Sequence, residues 1–230
     1  MTAFFITGIG TEVGKTVVSA FLCKALRADY WKPIQSGDLH HTDTQKVKSW
    51  AGLTNDRIHP EAYRLTTPAS PHFSATQDGV IISVPSFNLP ATENTLIVEG
   101  AGGLFVPLNG EQTILDLIKH LSIPVILVAR NYLGSINHTL LSIHALRSRD
   151  IPLAGLIFSG ADYRDNVDII SQQSGVEPLL QLPEAPEIQP QQIGDWVADF
   201  GDVDNDGDLD CFVGNHNDPS YLLRNDGNGT

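Results

Sequence analysis

Phe4-Phe5-Ile6-Thr7-Gly8-Ile9-Gly10-Thr11-Glu12-Val13-Gly14-Lys15-Thr16-Val17-Val18 decides the fold. An apolar run breaks into glycines, ends in Gly-Lys-Thr and resumes with apolar residues at helical spacing. That order predicts a strand, a phosphate-cradling loop and a helix. Glycines let several backbone N–H groups face one anion, and the start of the helix adds the positive end of its dipole. Lys15 is then placed to reach the β/γ-phosphates of a nucleoside triphosphate, and the Thr16 hydroxyl to meet Mg²⁺. Five residues separate Gly8 from Gly14, one more than the usual four. The alternative is a glycine-rich turn that binds nothing.

Outward from this loop, Val17, Val18, Phe21, Leu22, Ala25 and Leu26 predict the first helix. Tyr30-Trp31-Lys32-Pro33-Ile34 reads as a second strand leading into Gln35-Ser36-Gly37. The stretch from Asp38 to Asn94 is polar and proline-rich. One helix is expected there, over 42–51, with long loops covering the sheet rim. Strands are predicted at 95–99, 124–129 and 153–158, and helices at 114–121 and 134–149. Continuous apolar strands alternating with helices imply an α/β fold, a P-loop NTPase-like parallel sheet covered by helices on both faces. Ligands of such sheets gather where the strands end.

The 230 residues suffice for one well-buried α/β domain with a small appendage. A net charge of −13 argues against nucleic acid or an anionic membrane as partner. That charge is uneven. From Asp195 onward nine aspartates face one arginine, which leaves −5 for everything before them. Two cysteines, Cys23 and Cys211, are too few for a disulfide framework. Cys23 reads as a core residue. The chain shows no apolar run of bilayer length and no signal-peptide pattern, so a cytoplasmic location is expected.

Chemistry-bearing residues stand at the predicted strand ends. Glu99 closes an apolar strand before Gly100-Ala101-Gly102-Gly103, where an acid holds a nucleotide's magnesium. A solvated strand-end carboxylate is the alternative. Asp43, in a loop after the second strand, offers a second magnesium ligand or a simple helix cap. Lys32, pinned by Pro33, reads as a fixed ammonium at the rim, facing Lys15 and able to neutralise a moving phosphoryl group. An edge lysine stretched toward water is its competitor. Leu133-Gly134-Ser135-Ile136-Asn137-His138 opens a helix whose free N–H groups suit a carboxylate, or which Ser135 or Asn137 merely caps. The eight histidines show no metal-ligand spacing.

Together these motifs resemble the dethiobiotin synthetase family, whose phosphate loop has the same long glycine spacing. The resemblance covers roughly residues 1–195 and rests on five stretches. They are Gly8 with Thr11–Thr16, Lys32-Pro33-Ile34-Gln35-Ser36-Gly37, Pro68-Ala69-Ser70-Pro71-His72, Val98–Gly103 and Leu133–His138. It implies ATP- and Mg²⁺-dependent carboxylation of 7,8-diaminopelargonic acid with CO₂, followed by ring closure to dethiobiotin. The implied catalytic residues are Lys15 and Lys32, with Thr16, Asp43 and Glu99 on Mg²⁺ and Ser36 on the diamine. Nucleotide contacts are implied for Thr11, Glu12, Val13, Gly14, Lys15, Thr16 and Val17 and for Glu99, Gly100, Ala101 and Gly102. The family's homodimer implies that Gly134, Ser135, Ile136 and Asn137 take the substrate carboxylate from the neighbouring subunit. The family often has Asn where Ser159 stands, reading the base together with the segment at Leu182, Pro183 and Glu184. Ser159 therefore predicts weaker discrimination among triphosphates. A P-loop regulatory or partitioning ATPase is the competing class, but Gly8-Ile9-Gly10 lacks that class's early lysine.

Residues 196–230 form a separate acidic segment. Asp202, Asp204, Asp206, Asp208 and Asp210 alternate around Gly207 and could converge on one Ca²⁺. Val213 at the twelfth loop position excludes an EF-hand. The segment resembles an FG-GAP-type calcium-binding repeat, a module that needs neighbouring repeats to bury a core. A foreign terminus replacing the family's last helix, or a solvated acidic tail, is expected.

Overall fold

A computed structural model describes residues 2–161, 163–185 and 187–200, with 198–200 and two short strands, 211–213 and 221–223, described by backbone alone. In chain order the strands of the main sheet are β1 (Ala3–Gly8), β2 (Asp29–Trp31), β4 (Ile58–His59), β6 (Leu96–Gly103), β7 (Val125–Arg130), β8 (Leu153–Ser159) and β9 (Pro178–Leu182). They lie in the order β4-β2-β6-β1-β7-β8-β9, and every pairing is parallel. A second, two-stranded parallel sheet joins β3 (Ile34–Ser36) to β5 (Tyr63–Leu65). The helices are α1 (Lys15–Ala25), α2 (Asp43–Ala51), α3 (Pro71–Gln77), α4 (Ile114–Leu121), α5 (Ser135–Ser148), α6 (Arg164–Ser174) and α7 (Pro190–Phe200). Strands β10 (Cys211–Val213) and β11 (Tyr221–Leu223) pair antiparallel.

Alternation along β1 explains the two-sided cover. Phe4 and Ile6 join a cluster with Val18, Phe21 and Leu22 of α1, Val47 of α2 and Ile193 of α7. Ala3 and Phe5 point the other way, onto Ile114, Leu117 and Ile118 of α4. Successive side chains of a strand face opposite sides, so a sheet buried on both needs the unbroken apolar run that the sequence carries. A third cluster packs Leu127, Leu156 and Phe158 of β7 and β8 under Ile143 of α5 and Ile170 of α6. Each fully buried side chain of this size contributes roughly 1.5–3 kcal/mol. Cys23 sits fully buried in the first cluster.

Four expectations change. The second strand stops at Trp31, because Pro33 has no N–H to continue the ladder; the chain then leaves for the β3–β5 pair. Glu99 lies within β6, which runs on to Gly103. Asp43 is the first residue of α2, not a loop residue, and Thr42 and Gln45 close a capping box around that helix start. Finally, α7 continues past the boundary expected after Asp195, with Trp196 and Val197 buried in the core. The stretch 38–94 also contains β4, β5 and α3, whose short runs carry too little periodicity to be read. The aspartates Asp202, Asp204, Asp206, Asp208 and Asp210 lie outside the described residues. Among the described residues no helix is long and apolar enough to cross a membrane.

Candidate active site

All seven strands of the main sheet run parallel, so the ends of β1, β2 and β7 share one edge. Between β1 and α1 the chain makes the phosphate loop. Gly14 adopts φ +93°, and a Cβ there would lie 2.6 Å from the Ser159 hydroxyl, so conformation and space both demand glycine. No side chain caps the start of α1, which leaves its first N–H groups free for an anion. Gly37 adopts φ +70°, and a Cβ there would lie 2.4 Å from Pro68. That close approach seats the Pro68–Pro71 segment against the same cleft.

The cleft is a cavity of about 780 Å³, within the usual range of small-molecule sites. It is lined by Thr11, Glu12 and Gly14–Val17 of the loop, by Lys32 and Ile34–Ser36, by Asp43, Lys46 and Trp50 of α2, by Ala101 and Gly102, and by Arg130. Residues 43, 46 and 50 are spaced to fall on one face of α2.

At its floor lies a charged cluster. Lys32 is buried, and its Nζ sits 3.0 Å from Glu99 Oε1 and 2.7 Å from Asp43 Oδ2. Lys32 is therefore not a solvated rim lysine but the counter-ion of two carboxylates. Glu99, 1% exposed, accepts three hydrogen bonds from the described residues. Thr16 Oγ1 donates to its Oε1 at 2.9 Å, Lys32 Nζ to the same oxygen, and the Tyr30 hydroxyl to its Oε2 at 2.9 Å. Lys46 Nζ lies 3.3 Å from the other Asp43 oxygen.

These contacts set the charge states. Burial disfavours the Lys32 ammonium, but Glu99 and Asp43 outweigh it and raise its pKa above the ordinary lysine value. Burial pushes the Asp43 carboxyl up, yet Lys32 overcomes that and holds it below the usual range. Burial, reinforced by the Glu99 carboxylate, pushes the Tyr30 phenol well up, so Tyr30 stays a donor. Lys15 is buried too, and its Nζ donates to the Gly10 carbonyl at 3.0 Å. Burial lowers its pKa to about 8, Lys32 adding to that shift and Glu99 and Asp43 opposing it.

The donor set at the floor consists of one hydroxyl and two carboxylates, all oxygen, and it suits Mg²⁺. Ser36, on the cavity wall, has a buried hydroxyl without a hydrogen-bond partner among the described residues, an unmet polar group that a polar ligand would satisfy.

Other candidates lie elsewhere. Ser159 donates to the Val13 carbonyl at 2.6 Å and braces the phosphate loop from behind. The Val13 side chain is in the core, and Gly100 packs against the Phe5 ring. Leu182 is a core residue, and Glu184 pairs with Arg130 at 2.7 Å, so none of 182–184 lines the cavity. Gly134–Asn137 begin α5 away from the cavity, beside the fully exposed Leu133. Asn137 instead borders a smaller cleft of about 370 Å³ between α5 and α6. Sequence reasoning missed Tyr30, Lys46, Trp50 and Arg130; only the Asp43, Lys46, Trp50 spacing on a helix could have flagged any of them.

A strand, phosphate loop and helix opening on a cavity with two buried lysines and magnesium-type oxygens define a P-loop NTPase-like enzyme. A family profile described as AAA domain matches residues 2–192. The chain is 47% identical over 198 residues to an ATP-dependent dethiobiotin synthetase BioD of Christiangramia forsetii, covering 86% of this chain and 95% of that one. Its counterpart in Brucella ovis is 49% identical over 188 residues, with 82% and 89% covered. That of Rhodopseudomonas palustris is 51% identical over 178 residues, with 77% and 84% covered. Among solved structures, the septum site-determining protein MinD complexed with Mg-ADP from Pyrococcus horikoshii superposes with a TM-score of 0.49 at 15% identity, covering 84% of this chain and 86% of that one. On the sequence relatives, this chain belongs to the ATP-dependent dethiobiotin synthetase family.

Proposed function

We propose that the chain converts 7,8-diaminopelargonic acid, CO₂ and ATP into dethiobiotin, ADP and phosphate. One substrate amine takes up CO₂ as a carbamate, and the γ-phosphoryl group of ATP activates it. The second amine closes the ring and expels phosphate. The observation that carries this reading is the gathering of Lys15, Lys32, Thr16 and Asp43 on one cavity, with Glu99 buried behind it and bonded to Thr16 and Lys32, in a chain about half identical to synthetases. Two ammonium groups set beside a triphosphate would stabilise the negative carbamate and the moving phosphoryl group. Thr16, Asp43 and Glu99 would hold Mg²⁺, which supplies charge neutralisation at the phosphates when bound. Thr11–Val17 and 99–102 would cradle the nucleotide. Ser36, with its unpaired hydroxyl, would meet the diamine.

The substrate carboxylate would be held by Gly134–Asn137 of a second subunit. Exposed Tyr132 and Leu133 just before that helix start, with exposed Leu141 further along α5, support a dimer built there. Ser159 and the segment at 182–184 remain the proposed approach to the base. We assign this chemistry to residues 1–200, α7 included, with the acidic residues beyond them outside the reaction and the aspartates Asp202, Asp204, Asp206, Asp208 and Asp210 a Ca²⁺ site in their own right.

Phosphate release from ATP tests the proposal, measured with and without the diamine plus bicarbonate. Release that requires both is expected. Equal release without the diamine would instead describe a switch-type ATPase and reject it.

A further inference from the structure

Tyr30 takes no part in the chemistry just described, yet its hydroxyl touches the carboxylate at the centre of it. The ring is fully buried among apolar side chains of the first core cluster, where a phenylalanine would pack as well. What distinguishes tyrosine is the oxygen 2.9 Å from Glu99 Oε2. Glu99 Oε1 is the oxygen shared by Thr16 and Lys32, both of which line the cavity. The three donors therefore divide the carboxylate. One oxygen meets the cavity-lining groups, and the other is anchored in the core by a single phenol.

A buried carboxylate oxygen with no donor is costly, and the group would turn to find one. Turning would swing Oε1 away from Thr16. We infer that Tyr30 is a positioning residue, which fixes the rotation of the Glu99 carboxylate and so decides which oxygen faces the metal. The inference rests on the assignment of Glu99 to Mg²⁺ above. Partners that orient metal ligands in this way typically change metal affinity about 10- to 100-fold when removed.

Tyr30→Phe keeps the ring and deletes only the donor. With the full chain, calorimetric titration of Mg²⁺ in the presence of a non-hydrolysable ATP analogue should show the Mg²⁺ midpoint raised about tenfold or more. Binding of the same analogue without Mg²⁺ should be unchanged, a split that a merely packing role for Tyr30 would not produce. Adding Tyr30→Phe to Glu99→Gln should bring no further loss, because Tyr30 acts through Glu99. An unchanged midpoint in Tyr30→Phe, while Glu99→Gln raises it, would overturn the inference and leave the metal assignment standing. So would losses that simply add in the double variant. If Glu99→Gln itself leaves the midpoint unmoved, the metal assignment fails, and the role of Tyr30 fails with it.

Discussion

Lys32→Met should unfold this protein at a markedly lower temperature, as well as stopping turnover. Read from sequence, Lys32 stands at the rim, where its loss would spare the fold. In the structure Lys32 is 4% exposed, and its ammonium neutralises Glu99 and Asp43 at 3.0 and 2.7 Å. Methionine fills the same space but leaves both carboxylates without that cation. Removing one partner of a buried pair costs about 3–5 kcal/mol, because the other charge stays buried. Here Thr16 and Tyr30 still donate to Glu99, and Lys46 still faces Asp43, so the lower end applies, about 3 kcal/mol. For a chain of this length each kcal/mol lowers the melting temperature by about 2–4 °C, which makes the expected drop about 6–12 °C. Scanning calorimetry at neutral pH, without nucleotide or Mg²⁺, measures it. Adding Glu99→Gln to the variant removes the stranded charge and should recover most of the loss. A drop under about 2 °C, or a double variant less stable than the single, would refute the counter-ion reasoning.

Two further outcomes follow from other buried groups. Asp29, at the opposite end of β2, accepts from Arg57 Nε and Thr92 Oγ1 at 2.6 Å and from Asn94 Nδ2 at 3.0 Å, with His59 Nε2 at 3.3 Å. Burial raises its pKa, but Thr92 and Arg57 prevail and hold it below the ordinary 3.8, so its stabilisation is present above that pH and is lost as pH falls through the lower folded value. Asp29→Asn should therefore lower the melting temperature at pH 7 and match the wild type in strong acid; a gap that stays constant with pH would count against it. Lys15, also lowered on folding, gives the same sign at higher pH. With a folded pKa of about 8 against an ordinary 10.5, the unfolded chain holds a proton the folded one has lost between those values, so this group makes stability rise with pH there. A bound triphosphate favours the ammonium, and calorimetry in buffers of different ionisation enthalpy should show proton uptake that grows from pH 7 to 9 and vanishes in Lys15→Met.

Local pattern reaches only part of this site. The phosphate loop is legible because all its parts are contiguous: an apolar strand, glycines, Gly-Lys-Thr and a 3.6-residue period follow one another. The charged floor is not, because it depends on which strands become neighbours. Strand β2 sits beside β6, with Tyr30 opposite Ile97 and Trp31 opposite Val98, and the next step along that register brings Lys32 to Glu99, 67 residues away in sequence. Side chains two apart on an extended chain share a face. One pairing thus delivers both the Tyr30 phenol and the Lys32 ammonium to the same carboxylate, on either side of it. Nothing near Lys32 in sequence announces Glu99, so the isolated dipeptide Lys32-Pro33 reads as a lysine at an edge. Burial then reverses the expected energetics: in water the ammonium would stand free, whereas beneath the cavity two acids claim it. Any ligand that uses Lys32 must compete with Glu99 and Asp43 for it, and a divalent cation settling on those same oxygens would release the ammonium toward the cavity.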